Sequence, residues 1–467
     1  MYMKKSLWNL LVVLLFVIVG LVYLLPYGLG FVAKHKYMQL LDIFAKSNTV
    51  QATLVDYQRG WFSSEATVKV SIPSNSKAEN LDTLMVKQSI QHGPLFSITS
   101  SKGRHLSFGQ ALINTHVESV YGKMDCVNWI KINGGVSGVI SIPKLHYVNT
   151  REQGDAVALD VESILGHFGL STDLRAFIAD FEIPRIAIQT GKSTQEIDGT
   201  KLSYDLQKSD TGLFLGKHAV SIETMVFGAD FIPDKTLKLQ KFKIDKHDEE
   251  KNHKITSEID TSLQAITINN ATYGPQQLVI TIDQLDAPTL LALKKEANIL
   301  PEQHASFEQL FSSYQQLATT LLRQGIEIQV KKFQMNTPWG APSLTGSFTV
   351  PAQSATSSSE DFMNSVKMTA EINVSGPFLI RALEKLNMTM QSFSVGDTSA
   401  GMFQTPPPNP TRMAQQQITE WLNKKWLIPK NNGYQTVMVY QNRRSTLNGQ
   451  PVEEDSAQNP AIPELHK

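Results

Sequence analysis

The residues with the densest chemistry form one short run, Lys246-His247-Asp248-Glu249-Glu250-Lys251-Asn252-His253. Two imidazoles and three carboxylates are a donor set for a divalent metal. A catalytic zinc, however, needs three ligands held rigidly with further support behind them. This run is of mixed charge and lies between two segments of alternating polarity, so the reading preferred is a solvated hairpin loop without metal. The lone cysteine, Cys126, flanks Val127 and Trp129, which predicts a small buried thiol that stays protonated. P-loop, H-E-x-x-H, G-x-S-x-G and paired-cysteine patterns are all absent from the sequence. Gly28-Leu29-Gly30-Phe31-Val32-Ala33 fits the dinucleotide pattern on paper, but that pattern needs a preceding strand and here a long apolar run precedes it. The expectation is a protein that is not an enzyme and has no catalytic residues, cofactor or metal.

Two polar-aromatic segments remain. Tyr57-Gln58-Arg59-Gly60-Trp61-Phe62-Ser63-Ser64 joins the first pair of strands, with Gly60 free to take a positive φ. Gln91-His92-Gly93-Pro94-Leu95-Phe96 follows the next strand. Trp61 and Phe62 are expected to fold under the hairpin as core aromatics with Arg59 stacked over them; the alternative is a binding rim.

The elements that must position these segments are mainly strands. Ala66, Val68, Val70 and Ile72 alternate with polar residues, the mark of a strand buried on one face. Alternation returns at 184–190, 201–207, 219–225, 254–263, 326–333, 344–350 and 366–374. In 236–245 the apolar parity changes between Leu239 and Phe242, which predicts a β-bulge near Gln240. Tyr37, Leu40, Leu41 and Phe44 form a helical stripe expected to dock on the sheet that follows. Further helices are expected over 307–321, ending at Gly325, from Pro288 with Asp286 as its cap, from Pro377, and over 411–427 with Trp421 and Trp426. Gln353 to Glu360 and the stretch 395–410, with Pro406-Pro407-Pro408, read as loops, and 451–467 as a disordered tail.

The 467 residues are 41% hydrophobic and 18% charged, with 43 basic and 43 acidic residues. That balance excludes an intrinsically disordered chain and gives no cationic footprint for nucleic acid. The uncharged run Leu7 to Leu25 comes close to spanning a bilayer of roughly 30 Å as a helix. Trp8, Tyr23 and Tyr27 sit at its ends as interfacial aromatics do, and Lys4 and Lys5 favour a cytoplasmic N-terminus. Its length exceeds a signal-peptide core and Phe31 spoils the nearest cleavage site, so an uncleaved anchor is expected.

Tyr57-x-Arg59-Gly60-x-Phe62-x-Ser64, with Trp61 between, then His92-Gly93-Pro94, then Leu447-Asn448-Gly449-Gln450, resemble the marks of the YdgA family of bacterial inner-membrane proteins of unknown function. The similarity runs through nearly the whole chain. It implies an envelope protein with a large periplasmic domain. With the apolar run and the alternating segments, the expected division is an anchor over residues 1–28 and a periplasmic β-rich region over 29–450, with a weak junction near 351–362. The expected class is α+β: one transmembrane helix, then a large, mostly antiparallel curved sheet with a few packed helices. The expected function is a single-pass inner-membrane envelope protein binding a lipid or other apolar ligand in a sheet groove. The alternative is a homodimeric scaffold for envelope maintenance or motility.

Overall fold

The computed structural model describes residues 24–45, 51–71, 83–100, 103–119, 122–149, 157–191, 193–228, 236–268, 271–299, 319–353, 361, 364–394 and 409–452. The apolar run Leu7 to Leu25, all but its last two residues, lies outside them, as do most of the 307–321 helix, nearly all of the 353–360 and 395–410 loops, and nearly all of the tail from 451. Among the described residues no helix is long and apolar enough to cross a membrane.

The chain is β-rich and its strand pairs are antiparallel, in two compact units. The first holds residues up to His253, with Thr267–Asn270 and Ala287–Tyr314. It opens with α1 (Leu25–Ala45) and continues through β1 (Gln51–Arg59), β2 (Ser63–Ser71), β3 (Thr83–His92), β4 (Leu95–Ser100), β5 (Gly103–Ser119), β6 (Gly122–Lys131) and β7 (Val136–Ile142). After these come β8 (Leu145–Asn149), β9 (Val157–Val161), β10 (Ile164–Leu170), β11 (Ala176–Thr190), β12 (Ser193–Lys208), β13 (Phe214–Phe227) and β14 (Leu237–Lys251). Pairing runs β1–β2–β3–β5–β6–β7–β10–β11–β12–β13–β14, with β4 on β5 and β8–β9 on β11.

Helix α1 starts twelve residues before the expected stripe. Its buried positions are Pro26, Gly30, Ala33 and Tyr37, one helical face. Gly28 and Gly30 are poor helix formers, and tertiary contact overrides that propensity. The face of small residues lies on Ala66, Val68, Ile90, Ala111, Ile113, Ile130 and Val136, with Leu40 and Leu41 packed at the margin. Docking on the sheet, as the stripe predicted, is what the structure has.

Directly paired residues share a face of a sheet. One row, Ala111–Ile130–Val136–Leu170–Phe177–Leu206, crosses six strands in register. A second, Cys126–Ile140–Gly166–Phe181–Leu202–Val220–Ile244, runs from β6 to β14. The bulge expected near Gln240 takes another form. The β13–β14 register has no shift, but Lys241 has φ +49° and Gly199, two strands away, has φ +66°. Register aligns Pro184, Gly199, Glu223 and Lys241 in one row where ladder pairing lapses. Apolar parity changes across that row on all four strands, from Ile183, Leu202, Ile222 and Phe242 to Ile186, Ile197, Met225 and Leu239. Residues outside the β region reset the pleat, and a reset shared by all four strands needs no extra residue in any of them.

The second unit holds Lys254–Ile266, Ala271–Asp286 and Gln315–Lys467. Its strands are β15 (Lys254–Ile268), β16 (Ala271–Tyr273), β17 (Gln276–Asp286), β18 (Ile326–Met335), β19 (Ser343–Val350), β20 (Lys367–Ser375), β21 (Ile428–Lys430), β22 (Gly433–Gln441), β23 (Arg444–Leu447) and β24 (Gln450–Pro451). They pair β15–β17–β18–β19–β20–β22, with β21 and β23 sharing the far edge of β22. Helix α2 (Ala287–Ile299), which belongs to the first unit, carries Pro288 in its first turn, as expected, while Asp286 of β17 accepts from Lys254 Nζ at 3.3 Å. Gly325 takes φ +88° after the helical residues 319–323. Helices α3 (Gly376–Ser394) and α4 (Pro410–Asn423) pack through Leu383, Ala414 and Ile418. The last helix stops short of the expected 427: Lys425 is left-handed at φ +58°, which leaves Trp426 beyond the end.

Candidate functional site

Strand pairing gathers the first group of motif residues on one face. Arg59 pairs with Ser64, Ser64 with Ile90, and Tyr57 with Ala66, while His92 pairs with Ala111. Tyr57, Arg59, Ser64 and His92 therefore all lie beneath or beside α1. Ser64 and His92 are buried, and Ser64 Oγ stands 2.8 Å from His92 Nε2. His92 Nδ1 lies 3.1 Å from the Trp61 carbonyl. A carbonyl only accepts, so Nδ1 carries the proton, Nε2 presents its lone pair, and Ser64 O–H donates to it. Burial, with Arg59 nearby, lowers the His92 pKa even though the carbonyl bond favours the protonated ring.

A serine on a neutral imidazole is the front half of a nucleophilic triad. The setting removes that chemistry. Nδ1 faces a carbonyl where a triad has a carboxylate, and Ser64 is 1% exposed. The ring also lies against α1: a Cβ on Gly30 would stand 2.6 Å from His92 Cε1. Gly30 is thus a place where helix and imidazole touch, and the dyad fixes the contact.

Arg59 stacks on rings other than the ones expected. Its guanidinium lies 3.4 Å over the Phe31 ring and 4.4 Å over the Tyr27 ring, and Nη2 donates to Tyr27 O at 2.6 Å. Trp61 and Phe62 are each 47% exposed, so the expectation of core aromatics is corrected. Helix α1 supplies the rings beneath Arg59, and Trp61 extends them with its centroid 4.5 Å from that of Tyr27. Gly60 does not take a positive φ; a side chain there would meet the Ser63 carbonyl at 2.8 Å. Gly93 and Pro94 carry the chain from β3 into β4, and a Cβ on Gly93 would overlap Gly109 O at 1.8 Å. Tyr37 donates to Gln88 under the helix, and Gln88 Nε2 donates to Thr115 Oγ1 at 2.8 Å.

Leu447, Asn448 and Gly449 belong to the second unit. Asn448 (φ +50°) and Gly449 (φ +78°) make the turn between β23 and β24. Asn448 Oδ1 accepts from Val437 N at 2.8 Å, and its Nδ2 donates to Trp426 O at 2.9 Å. That side chain holds the last strands to the segment after α4.

The model of a bacterial protein family of unknown function, DUF945, matches residues 3–455. The chain belongs to the DUF945 family. The match supports the bacterial family of unknown function that the motifs implied, and the YdgA name rests on the motifs alone. No curated protein and no solved structure matches the chain.

The charged run of this DUF945 chain lies on β14, at the other end of the strand order from the motif strands, whereas Cys126 falls on the motif face in the row Tyr57–Ala66–Gln88–Thr115–Cys126. Asn252 and His253 are both left-handed, so the expected loop is a two-residue turn after a longer β14. Asp248 is buried against Lys246 Nζ at 2.8 Å. Burial raises the Glu250 carboxyl, but bonds from Ser209, Thr211 and His253 outweigh it and bring the pKa below its ordinary value. Asp248, Glu250, His253 and Ser209 are among the residues that line a polar concavity of about 680 Å³. Among the described residues, no three His, Cys, Asp or Glu side chains come together to hold a metal ion. Burial pushes the Cys126 thiol up to about 11, despite its bond to Asn128 Oδ1.

Sequence reasoning missed the partners of the motif: Gly30, Tyr27 and Phe31. The signal lies in the small residues Pro26, Gly30 and Ala33, spaced as one helical face, but the apolar stripe that marks the helix in the sequence starts only at Tyr37.

Proposed function

We propose that this chain is a membrane-anchored, non-enzymatic envelope protein that holds an acyl chain or similar apolar ligand on the open part of its first sheet. The observation that carries the reading is the continuation of one apolar face past its helical cover. Ile130 and Val136 lie sealed beneath α1, whereas Phe181, Leu202, Val220 and Ile244, on the same face, are only partly buried. Solvent contact with such a row is costly at about 25 cal/mol per Å² of apolar surface, so a ligand that covers it is favoured. A lipid is the occupant chosen because α1, which closes one end of the face, begins at Leu25, where the uncharged run from Leu7 ends.

Native mass spectrometry of the full-length protein extracted in detergent tests this. The expected spectrum shows adducts of lipid mass that are lost from Leu202→Asp and Val220→Asp. A bare monomer would overturn the reading, and a dimer without adducts would favour the homodimeric scaffold.

A further inference from the structure

The exposed aromatics that open α1 and fill the β1–β2 turn are not part of the apolar sheet face, and they form a surface of their own. Tyr27 and Phe31 project from the first turns of α1 and are 39% and 54% exposed. Trp61, at 47%, meets Tyr27, and Phe62 matches its exposure. The surface continues into the β4–β5 arm, because His92 N–H donates to Phe62 O at 2.7 Å and β4 begins three residues later. There Leu95 and Phe108, direct cross-strand partners, are 50% and 64% exposed. Arg59 stands among the rings and makes no ion pair among the described residues.

Six large apolar side chains at one end of a unit exceed the scatter of single exposed hydrophobics on ordinary surfaces. The occupant follows from where the chain goes. Helix α1 leads upstream straight into the uncharged run Leu7 to Leu25, and Leu24, at its edge, is 65% exposed. Tryptophan, tyrosine and phenylalanine around an arginine is the composition that seats in the headgroup layer of a bilayer, with rings among the upper acyl carbons and the cation near phosphate. We infer that this collar rests in the interface of the membrane that the apolar run enters, docking the first unit on the bilayer. The inference rests on the anchor reading above.

The test uses the full chain in vesicles of zwitterionic and anionic phospholipid. With Cys126→Ser removing the single native thiol, Phe62→Cys, Phe108→Cys and, as a distant control, Glu223→Cys each receive a nitroxide. Electron paramagnetic resonance then compares access to oxygen, which partitions into lipid, with access to a water-soluble nickel complex. The collar labels are expected to favour oxygen and the Glu223 label nickel. Collar labels as open to nickel as the control, in protein that stays in the vesicles through an alkaline carbonate wash, would overturn the collar alone. Labels shielded from both reagents would mean a protein partner and also overturn it. Release by the carbonate wash would overturn the anchor and the collar with it. Phe108 carries the test if the Phe62 variant does not fold.

Discussion

The first sheet has a covered end and an open end, built on the same strand pairing and continuous rows of one face. At the covered end, α1 lies on β1–β3 and β5–β7, its small residues in contact and an imidazole locked beneath Gly30. At the open end, over β11–β14, Phe181, Leu202, Val220 and Ile244 are equally apolar but only partly buried. The contrast teaches that alternation marks an apolar face and does not say what covers it. The first motif group lies where the helix sits, with Arg59 bonded to Tyr27 O and His92 against Gly30.

The largest expected effect separates the two ends directly. Ile130→Ala, at a fully buried site, should cost about 2–5 kcal/mol in denaturant unfolding. Ile222→Ala on the open end should cost less than about 2 kcal/mol, since it empties a site already in part solvent. Equal losses would show that the open end is packed as tightly as the covered one.

Next is the fit of helix to imidazole. Gly30→Val would drive a side chain into the His92 ring and should cost about 1–3 kcal/mol by overpacking. Adding His92→Ala to it should recover part of that loss, and a strictly additive double variant would mean the two do not touch.

The smallest effect is a pH dependence. The folded pKa of His92 is depressed, chiefly by burial, so the unfolded chain binds the extra proton first. Stability is then full above the unfolded value, about 6.5. It falls as pH drops below that value toward and through the depressed folded one. Midpoints measured between pH 7 and 5 should show this fall in the wild type and a weaker one in His92→Gln. A histidine on the open end, His218, also has a lowered pKa, from burial and then Lys246, and contributes a slope of the same sign.

By itself the sequence determined that the chain is β-rich, that strands 184–190, 201–207, 219–225 and 326–333 are half-buried, and that helices begin at Pro288, Pro377 and near Pro410. These follow from local periodicity and capping, which act within a few residues. It also placed the early motif at a hairpin. What it did not show was β5, where Ala111, Leu112 and Ile113 are all buried because α1 covers one face and Phe96 of the β4 arm the other. Burial on both faces erases alternation. Nor did it show which rings Arg59 stacks on, or that a parity change on one strand was a kink shared by four. Those depend on register between distant segments, and only the tertiary structure brings Gly30 to His92 and Lys241 into line with Gly199.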